Sequence, residues 1–360
     1  MHISAERHRL ARDFRIDFTD AGRGDVVTSI CIGVPSYKRA DLLRDLLDRL
    51  LPLLAERPHI RLCVVNDGSH EARYDEVVTA RAGQFDYRIL SVNVGCGGAR
   101  RACFEGADED YLVCIDDDCL PTREWLDWLE AMIETWPGVD LFAGDVKPCF
   151  PEGATRWQRS LSVADEAHSA LEMSFGLLTA VTANLAMKRS TYEAAGGFSA
   201  DLRGSEDCDI TQKVIAAGGS YLVVHRWVIF HVAKLNAREM RKRFRQYGFA
   251  NAAYVVTRKS WKIATIADLG HLRPALTRAR VCLRNDLAKW RRLGLPRIEQ
   301  WQKACVTVLL QLEYEYGWRK GMRAMGQSVS SPLPRPPAIT ERYRDFTEQD
   351  RAVLSLPSSA

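Results

Sequence analysis

Three adjacent carboxylates, Asp116-Asp117-Asp118, close the apolar run Tyr111–Ile115. Like charges held side by side disfavour one another's ionised form, so a fold that keeps them together usually supplies a cation. Hard oxygen ligands suit Mg²⁺ or Mn²⁺, ions held by one or two carboxylates together with the phosphates of a substrate. The competing reading is a solvated acidic turn that caps the helix after it. A second acidic cluster lies in Gly204-Ser205-Glu206-Asp207-Cys208-Asp209, opening a helix that runs through Val214 to Gly218-Gly219. Acids in a first turn are favourable against the helix dipole, which is the plain structural account. The loop Gly196-Gly197-Phe198 just before it can present those carboxylates to a cleft, where one could act as general base for an incoming hydroxyl. His231 closes the run Trp227–Phe230; it is either a structural residue after a strand or an imidazole ligand suited to Mn²⁺. Arg100 and Arg101, after the glycine-rich Asn93–Gly98, could neutralise a pyrophosphate.

These residues need a scaffold, and the hydrophobic pattern predicts one. Ser29–Val34, Arg61–Val65, Tyr87–Val92 and Tyr111–Ile115 read as short buried strands, the first bounded by Pro35. Between them, Asp41–Leu54 carries leucines at helical spacing, and a helical stretch follows Gly98 through Ala107. A further helix is expected over Thr122–Trp136. Strands alternating with helices mean βαβ units and a mostly parallel sheet covered on both faces. Ligands bind beyond the carboxyl ends of such strands, and Asp67, the Asn93–Gly98 loop and Asp116–Asp118 all fall there.

Composition narrows the class. With 46% apolar and 27% charged residues over 360 positions, global disorder is excluded. No apolar run is long enough to span a bilayer, and the first twenty residues lack the apolar core of a secretory signal, so a cytoplasmic address is expected. The ten cysteines include no CxxC pair, and Cys31, Cys63 and Cys114 lie inside strand-like runs, which reads as reduced structural thiols rather than disulfides or a zinc knuckle. A dinucleotide GxGxxG, a phosphate-binding GxxxxGK[ST] and a GxSxG elbow are all missing. Lys234–Glu299 holds 17 Lys and Arg against 4 Asp and Glu, a local balance of +13 that leaves −9 on the rest of a chain of net charge +4. A basic segment beside an acidic domain suits an anionic acceptor or the inner face of a membrane, or is simply a solvated helix face. Nucleic acid ranks last, because no reading motif is present and Phe244, Tyr247 and Tyr254 fall at a spacing typical of core. Trp157, Phe175 and Trp227 are expected to pack rather than to stack on a sugar.

Taken in order, the motifs resemble glycosyltransferase family 2, the inverting sugar transferases of GT-A fold. The resemblance rests on Val34-Pro35-Ser36-Tyr37-Lys38-Arg39, Val64-Val65-Asn66-Asp67-Gly68-Ser69, Asn93-Val94-Gly95 with Gly98-Ala99-Arg100, Ile115-Asp116-Asp117-Asp118 with Pro121, Gly196-Gly197-Phe198, Glu206-Asp207 and His231. It implies an α/β fold of GT-A type, Rossmann-like, with a mostly helical C-terminal extension. It also implies a nucleotide-diphosphate sugar donor, UDP-linked by preference, and Mn²⁺ or Mg²⁺. By position, Pro35, Tyr37 and Arg39 would border the nucleotide, Asp67 would read its base, and Arg100 would approach the diphosphate. Asp116 and Asp118 would form the DxD pair, with Asp117 between them at the nucleotide-sugar. Asp116 would face ribose and metal shell, Asp118 would bind the metal, and His231 would complete that site. Asp207 would be the catalytic base with Glu206 beside it. The family's paired Asp is here Asn66-Asp67, and its Asn after the arginine is Arg101. No QxxRW signature of processive synthases follows Asp207, so one sugar per encounter is expected.

The organisation implied is an N-terminal arm (1–28), a catalytic domain (29–232), a basic helical region (233–327) and a Pro/Ser-rich tail (328–360). The acceptor would be a glycan, a lipid-linked molecule or a small molecule. Two rivals share parts of this pattern. A sugar-phosphate nucleotidyltransferase shares the sheet, nucleotide and metal, but has a glycine-rich basic loop where this chain has Pro35-Ser36-Tyr37. A non-catalytic nucleotide-sugar or polyanion binder would have no use for a base at Asp207.

Overall fold

The computed structural model describes residues 28–161, 171–172, 178–233, 236–258, 283, 287 and 296–325. The expected N-terminal arm before residue 28, Phe175, most of the basic segment from 259 to 295 and the Pro/Ser-rich tail lie outside them. Strand β1 (Ile30–Ser36) is followed by α1 (Ala40–Leu54), β2 (Ile60–Asn66), α2 (Ala72–Thr79), β3 (Asp86–Ile89), α3 (Cys96–Cys103) and β4 (Tyr111–Cys114). This is the alternation that the apolar pattern predicts, with α2 as a helix that the pattern does not mark. Then come β5 (Cys119–Leu120), α4 (Arg123–Thr135), β6 (Leu141–Cys149), α5 (Arg156–Leu161), a small hairpin of β7 (Leu171–Glu172) and β8 (Leu178–Thr179), and β9 (Leu185–Lys188). The order ends with α6 (Arg189–Ala194), α7 (Glu206–Ala216), β10 (Tyr221–Val232), α8 (Ala237–Thr257) and α9 (Arg297–Ala324).

The main sheet runs β3-β2-β1-β4-β9-β6-β10-β5. Four of its pairings are parallel, and the three that involve β9 or β5 are antiparallel. Chain connectivity reverses direction across the sheet at β1, with β2 on one side and β4 on the other, so a crevice opens beyond their carboxyl ends. The pairing of β1 with β4 stops at Gly33↔Cys114, whereas its pairing with β2 continues to Ser36↔Asn66. Pro35 therefore lies inside β1 rather than bounding it. It is tolerated because the strand is paired on one side only from there on.

Side chains of β1 alternate between two apolar layers. Ile30, Ile32 and Val34 face α1 and α4, where Leu43, Leu46, Leu47, Leu50, Trp125, Leu126 and Leu129 are fully or almost fully buried. Cys31 faces the other layer with Cys63, Cys103, Cys114, Phe198 and Ile210. These thiols are free and act as small hydrophobes, and burial pushes that of Cys114 up to about 12. Helix α4 begins at Thr122, whose Oγ1 accepts a hydrogen bond from Trp125 N at 3.2 Å. Trp227 is core and stacks on Trp125 with ring centroids 5.9 Å apart. Trp157 is 50% exposed, so the packing expected of it is not found.

A third cluster joins α8 and α9, with Met240, Phe244, Tyr254 and Val255 against Val306, Leu310, Tyr314, Trp318 and Met322. The two helices cross at backbone contact. A Cβ on Gly248 would stand 2.0 Å from the Tyr314 carbonyl oxygen, and one on Gly317 would stand 1.9 Å from that of Arg245. Glu313 accepts from both Arg241 (2.6 Å) and Arg245 across the same crossing. Asn251 of α8 donates to Tyr314 Oη at 2.9 Å. No described helix is long and apolar enough to cross a membrane.

The crossing predicts a specific sensitivity. Gly317→Ala should lower unfolding stability by about 1–3 kcal/mol, because the added methyl meets rigid backbone. Gly138→Ala, where nothing lies within 4 Å of the new methyl, should stay within about 0.5 kcal/mol of wild type. Urea denaturation of the two variants checks the difference.

Candidate active site

The carboxyl ends of β1, β2 and β4 open into one cleft of about 2160 Å³. It is lined by Pro35, Tyr37, Arg39, Asp67, Arg100, Asp116, Asp117, Asp118, Glu206 and Asp207, residues up to 172 positions apart in the chain. The site residues read from the sequence are thus brought together, with His231 beside Asp118.

Strand β4 delivers the acidic turn. The short β5 that follows pairs antiparallel with β10, placing His231 opposite Cys119. From there His231 Nε2 lies 2.8 Å from Asp118 Oδ1, and Val232 N donates to the Asp118 carbonyl at 2.8 Å. One ligand atom each from Asp116, Asp118 and His231 falls within 4.8 Å of the others. Two carboxylates and an imidazole form a donor set that Mn²⁺ accepts readily and Mg²⁺ accepts through its oxygens. Asp117 is held differently. It accepts from Ser36 Oγ at 2.7 Å and from Arg39 Nη1 at 3.0 Å, and Arg39 Nη1 also reaches Asp118 Oδ2 at 3.0 Å. Ser36 Oγ shares a 2.7 Å hydrogen bond with Tyr74 Oη, which accepts from Arg39 N. Burial pushes the Asp117 carboxyl up to about 6; Arg39 opposes the shift and the Asp118 charge adds to it. The middle carboxylate is thus a buried strap for the turn, and the outer two reach the metal-ligand cluster.

The second acidic cluster sits at the start of α7. Ser205, its N-cap, has φ +64°, and Lys38 across the cleft has φ +55°. Left-handed backbone in non-glycine residues costs on the order of 1–3 kcal/mol and persists only where the surroundings enforce it. For Ser205 the hydroxyl is tied to Asn251 Oδ1 of α8. Glu206 Oε1 accepts from Arg100 Nη1 at 2.5 Å, and Arg100 Nη2 donates to Asp116. Arg100, only 4% exposed, therefore joins the two acidic clusters, and its guanidinium is engaged by carboxylates rather than presented to solvent. Asp207 Oδ1 accepts from Cys208 N at 2.7 Å. Burial, then the Glu206 charge, pushes the Asp207 carboxyl up to about 7, although the helix start and Arg100 pull it down. A carboxylate poised near neutrality beside a cleft is suited to proton abstraction.

Asp67 is engaged within the protein. It accepts from Val94 N (2.7 Å), Asn93 Nδ2 (2.7 Å) and Gly95 N (3.1 Å), and so pins the glycine-rich loop; burial raises its pKa against those bonds. Asn66 closes the turn after β2, accepting from Ser69 N (2.7 Å) and donating to Ser69 O (2.9 Å), the latter a bond that a carboxylate could not make. Tyr37 stands exposed on the cleft with Lys38 Nζ 5.3 Å from its ring centre. Arg101 donates to the Phe198 carbonyl at 3.2 Å.

Helix α8, in the segment that the sequence reads for its basic charge, also lines the cleft, and two of its residues bear on the site. Arg243 of α8 donates to Tyr247 Oη and lies with its guanidinium carbon 5.2 Å from that ring. Burial disfavours its charge, but Tyr247, and beyond it Asp118 and Asp116, hold its pKa above the ordinary value. Tyr247 is 41% exposed on the cleft, not core, whereas Phe244 and Tyr254 are buried as expected. Spacing gives no signal for this: at 100° per residue the buried Tyr254 falls between Arg243 and Tyr247 on the helix. In all, the acidic turn, Glu206 and Asp207 contribute five carboxyl groups, and the carboxylate-bound arginines among the cleft residues described above are Arg39 and Arg100. Asp116, Asp118 and His231 are the ligand set that a divalent cation fits.

Residues 31–196 match the family model described as Glycosyl transferase family 2. The chain is 25% identical over 224 residues to the glycosyltransferase AglE of Haloferax volcanii, covering 60% of this chain and 71% of that one. It is 28% identical over 200 residues to the succinoglycan biosynthesis protein ExoM of Rhizobium meliloti, covering 53% and 62%. Among solved structures it resembles the mannosyltransferase PcManGT from Pyrobaculum calidifontis in complex with GDP-Man and Mn²⁺, with a TM-score of 0.52, 17% identity, and coverage of 89% of this chain and 95% of that one. That likeness shows a shared GT-A fold. The family match ends before Glu206, Asp207 and His231, whose place in the cleft rests on geometry.

The raised pKa of Asp207 makes stability depend on pH. Between the unfolded value near 3.8 and the folded value of about 7, the native state holds a proton that the unfolded chain has released. Wild type should therefore lose stability as pH rises through that window, and Asp207→Asn should flatten the slope, being the more stable variant at pH 8 and little different at pH 4. Denaturation midpoints at the two pH values read this directly.

Proposed function

The chain is a glycosyltransferase of family 2, and from that premise we propose that it moves one sugar per encounter from a nucleotide-diphosphate sugar to an acceptor hydroxyl, with inversion and with Asp207 as general base. The observation that carries the reading is the convergence in one cleft of a three-ligand cluster (Asp116, Asp118, His231) and a separate carboxylate held near neutral pKa. The residues of that cluster would hold Mn²⁺ or Mg²⁺. When bound, such an ion supplies Lewis-acid neutralisation of a diphosphate leaving group.

The protein's own part follows from the geometry. Asp207 takes the acceptor hydroxyl proton as that oxygen bonds to the anomeric carbon, while the bond from that carbon to the diphosphate oxygen breaks on the opposite face. Glu206, held by Arg100, keeps negative charge beside Asp207 and so keeps its pKa up. Tyr37 and Pro35 border the nucleotide base, and Asp67 holds the loop against it. Uridine is the proposed base; the GDP-Man bound by the mannosyltransferase of like fold makes guanosine the competitor. Arg243, stacked on Tyr247, is the cation we assign to the incoming diphosphate. The catalytic unit spans 29–232, and apart from Arg243 the basic helical region (233–327) contributes to the acceptor side, which takes a glycan, lipid-linked or small-molecule hydroxyl. The exposed cations Arg238, Arg241, Lys242 and Arg245 suit an anionic acceptor or lipid surface, consistent with work in the cytoplasm at the inner membrane face.

Asp207→Asn tests the assignment. Transfer should fall by about 10²–10⁴-fold while nucleotide affinity is retained, because the amide cannot accept the proton but keeps the shape. In wild type the transfer rate should rise with pH through about 7 as Asp207 ionises. Undiminished transfer by the variant would remove Asp207 from the mechanism. A chain that binds donor equally well in both forms and transfers in neither would be a binding protein.

A further inference from the structure

Helix α9 has two apolar faces, and among the described residues one of them packs into the core. Val306, Leu310, Tyr314, Trp318 and Met322 pack against α8. On another side Ile298, Trp301, Cys305, Leu309, Leu312 and Tyr316 recur at intervals of three and four, and all six are exposed, Trp301 and Tyr316 at 60%. At 100° per residue they fall within a stripe about 80° wide. At 1.5 Å per residue the stripe is about 27 Å long. Isolated exposed apolar residues are ordinary, whereas a continuous stripe marks an interaction surface.

Charge says what kind. The carboxylates of α9 are turned inward: Glu313 and Glu315 are buried and bound by Arg241, Arg245 and Arg319, and Glu299 is half-buried with Arg156 at 3.9 Å. The exposed charged residues of the helix are Arg297 at one end and Lys320 and Arg323 at the other, all cationic. Arg245 adds a further cation, its guanidinium carbon 5.4 Å from the Tyr316 ring. A second copy of the chain fits this pattern poorly. Antiparallel pairing of two such stripes sets Arg297 against Lys320 and Arg323, and parallel pairing sets each cation against itself.

We propose that this face of α9 docks on an anionic lipid bilayer, with the apolar stripe in the headgroup boundary and the terminal cations on the lipid phosphates. Trp301 and Tyr316 have the amphipathic rings that settle at that depth, and helices of this type lie in the plane of the interface. Tyr316 and Lys320 also line the cleft that holds Asp207, so docking brings the cleft mouth to the membrane surface. The inference rests on α9 and the Arg245 of α8 beside it, and does not depend on the sugar-transfer reading.

Co-sedimentation of the full chain with phosphatidylcholine vesicles containing phosphatidylglycerol, and with phosphatidylcholine alone, tests it. Wild type should bind the mixed vesicles and bind the neutral ones at least about tenfold more weakly, salt reducing the difference. L309Q/L312Q, both at exposed positions, should lose at least about tenfold in binding at an unchanged melting temperature, whereas Ile89→Gln, an exposed apolar residue on the far strand β3, should bind as wild type does. Should the double variant melt early, the Trp301 emission decides: a vesicle-induced blue shift absent in Trp301→Phe supports docking, and equal shifts in both overturn it. Binding to neither vesicle, or equal binding by wild type and a stably folded L309Q/L312Q, overturns the proposal. So does a dimer in sedimentation velocity that this double variant dissociates, which would assign the stripe to a second copy.

Discussion

Mutual repulsion among carboxylates is the constraint around which this cleft is built. Asp116, Asp117, Asp118, Glu206 and Asp207 come together from a strand end and a helix start that are distant in sequence, and burial makes their repulsion costly. Arg39 ties Asp117 to Asp118, Arg100 ties Asp116 to Glu206, and Ser36 and Tyr74 support the buried middle carboxyl. What remains is a ligand cluster short of positive charge on one side of Arg100 and a carboxyl near neutral pKa on the other. A leaving diphosphate needs the first and an acceptor hydroxyl needs the second, which is why one cleft can serve both ends of a group transfer.

The C-terminal helices complete that cleft rather than decorate it. Contact between backbones at Gly248 and Gly317 brings α8 close to α9, and α8 in turn supplies Asn251 to the strained Ser205 and Arg243 with Tyr247 to the mouth. The left-handed turn that points Glu206 and Asp207 inward is thus held by an element more than forty residues further along. Packing at one helix crossing, strain at a helix cap and electrostatics at the site form one chain of cause. The opposite side of α9, apolar and fringed by cations, then faces away from the core.

Much of this was legible in the sequence. The first four strands, the helix after β1 and the helix before β4, the acidic turn at a strand end and the second acidic cluster on a helix start all follow from local period and local chemistry; α2 does not. The family match and the GT-A fold agree with that reading. What local pattern could not show is which charged groups find one another. Arg100 and Glu206 lie 106 residues apart, and nothing in either neighbourhood announces the pair. Nor could local pattern show that Asn66 closes a turn and that Asp67 pins the glycine-rich loop, because a buried polar group takes the nearest backbone donors. Tyr247 was assigned to the core by its spacing alone, since helical period tells which residues share a face but not whether that face meets a core or a cleft. Pro35 ends a strand by propensity but stays within β1 because the neighbouring strand has already parted from it.

The central claim is that Asp116, Asp118 and His231 bind a divalent cation together with a nucleoside diphosphate. Isothermal titration of UDP, GDP, CDP and dTDP, each with and without Mn²⁺, tests it most directly on wild type and on His231→Ala. The account predicts that one of these nucleotides, UDP foremost, binds wild type only when Mn²⁺ is present and that the variant loses this dependence along with most of the affinity. Binding of equal strength with and without the metal, or no binding of any of the four, would contradict it.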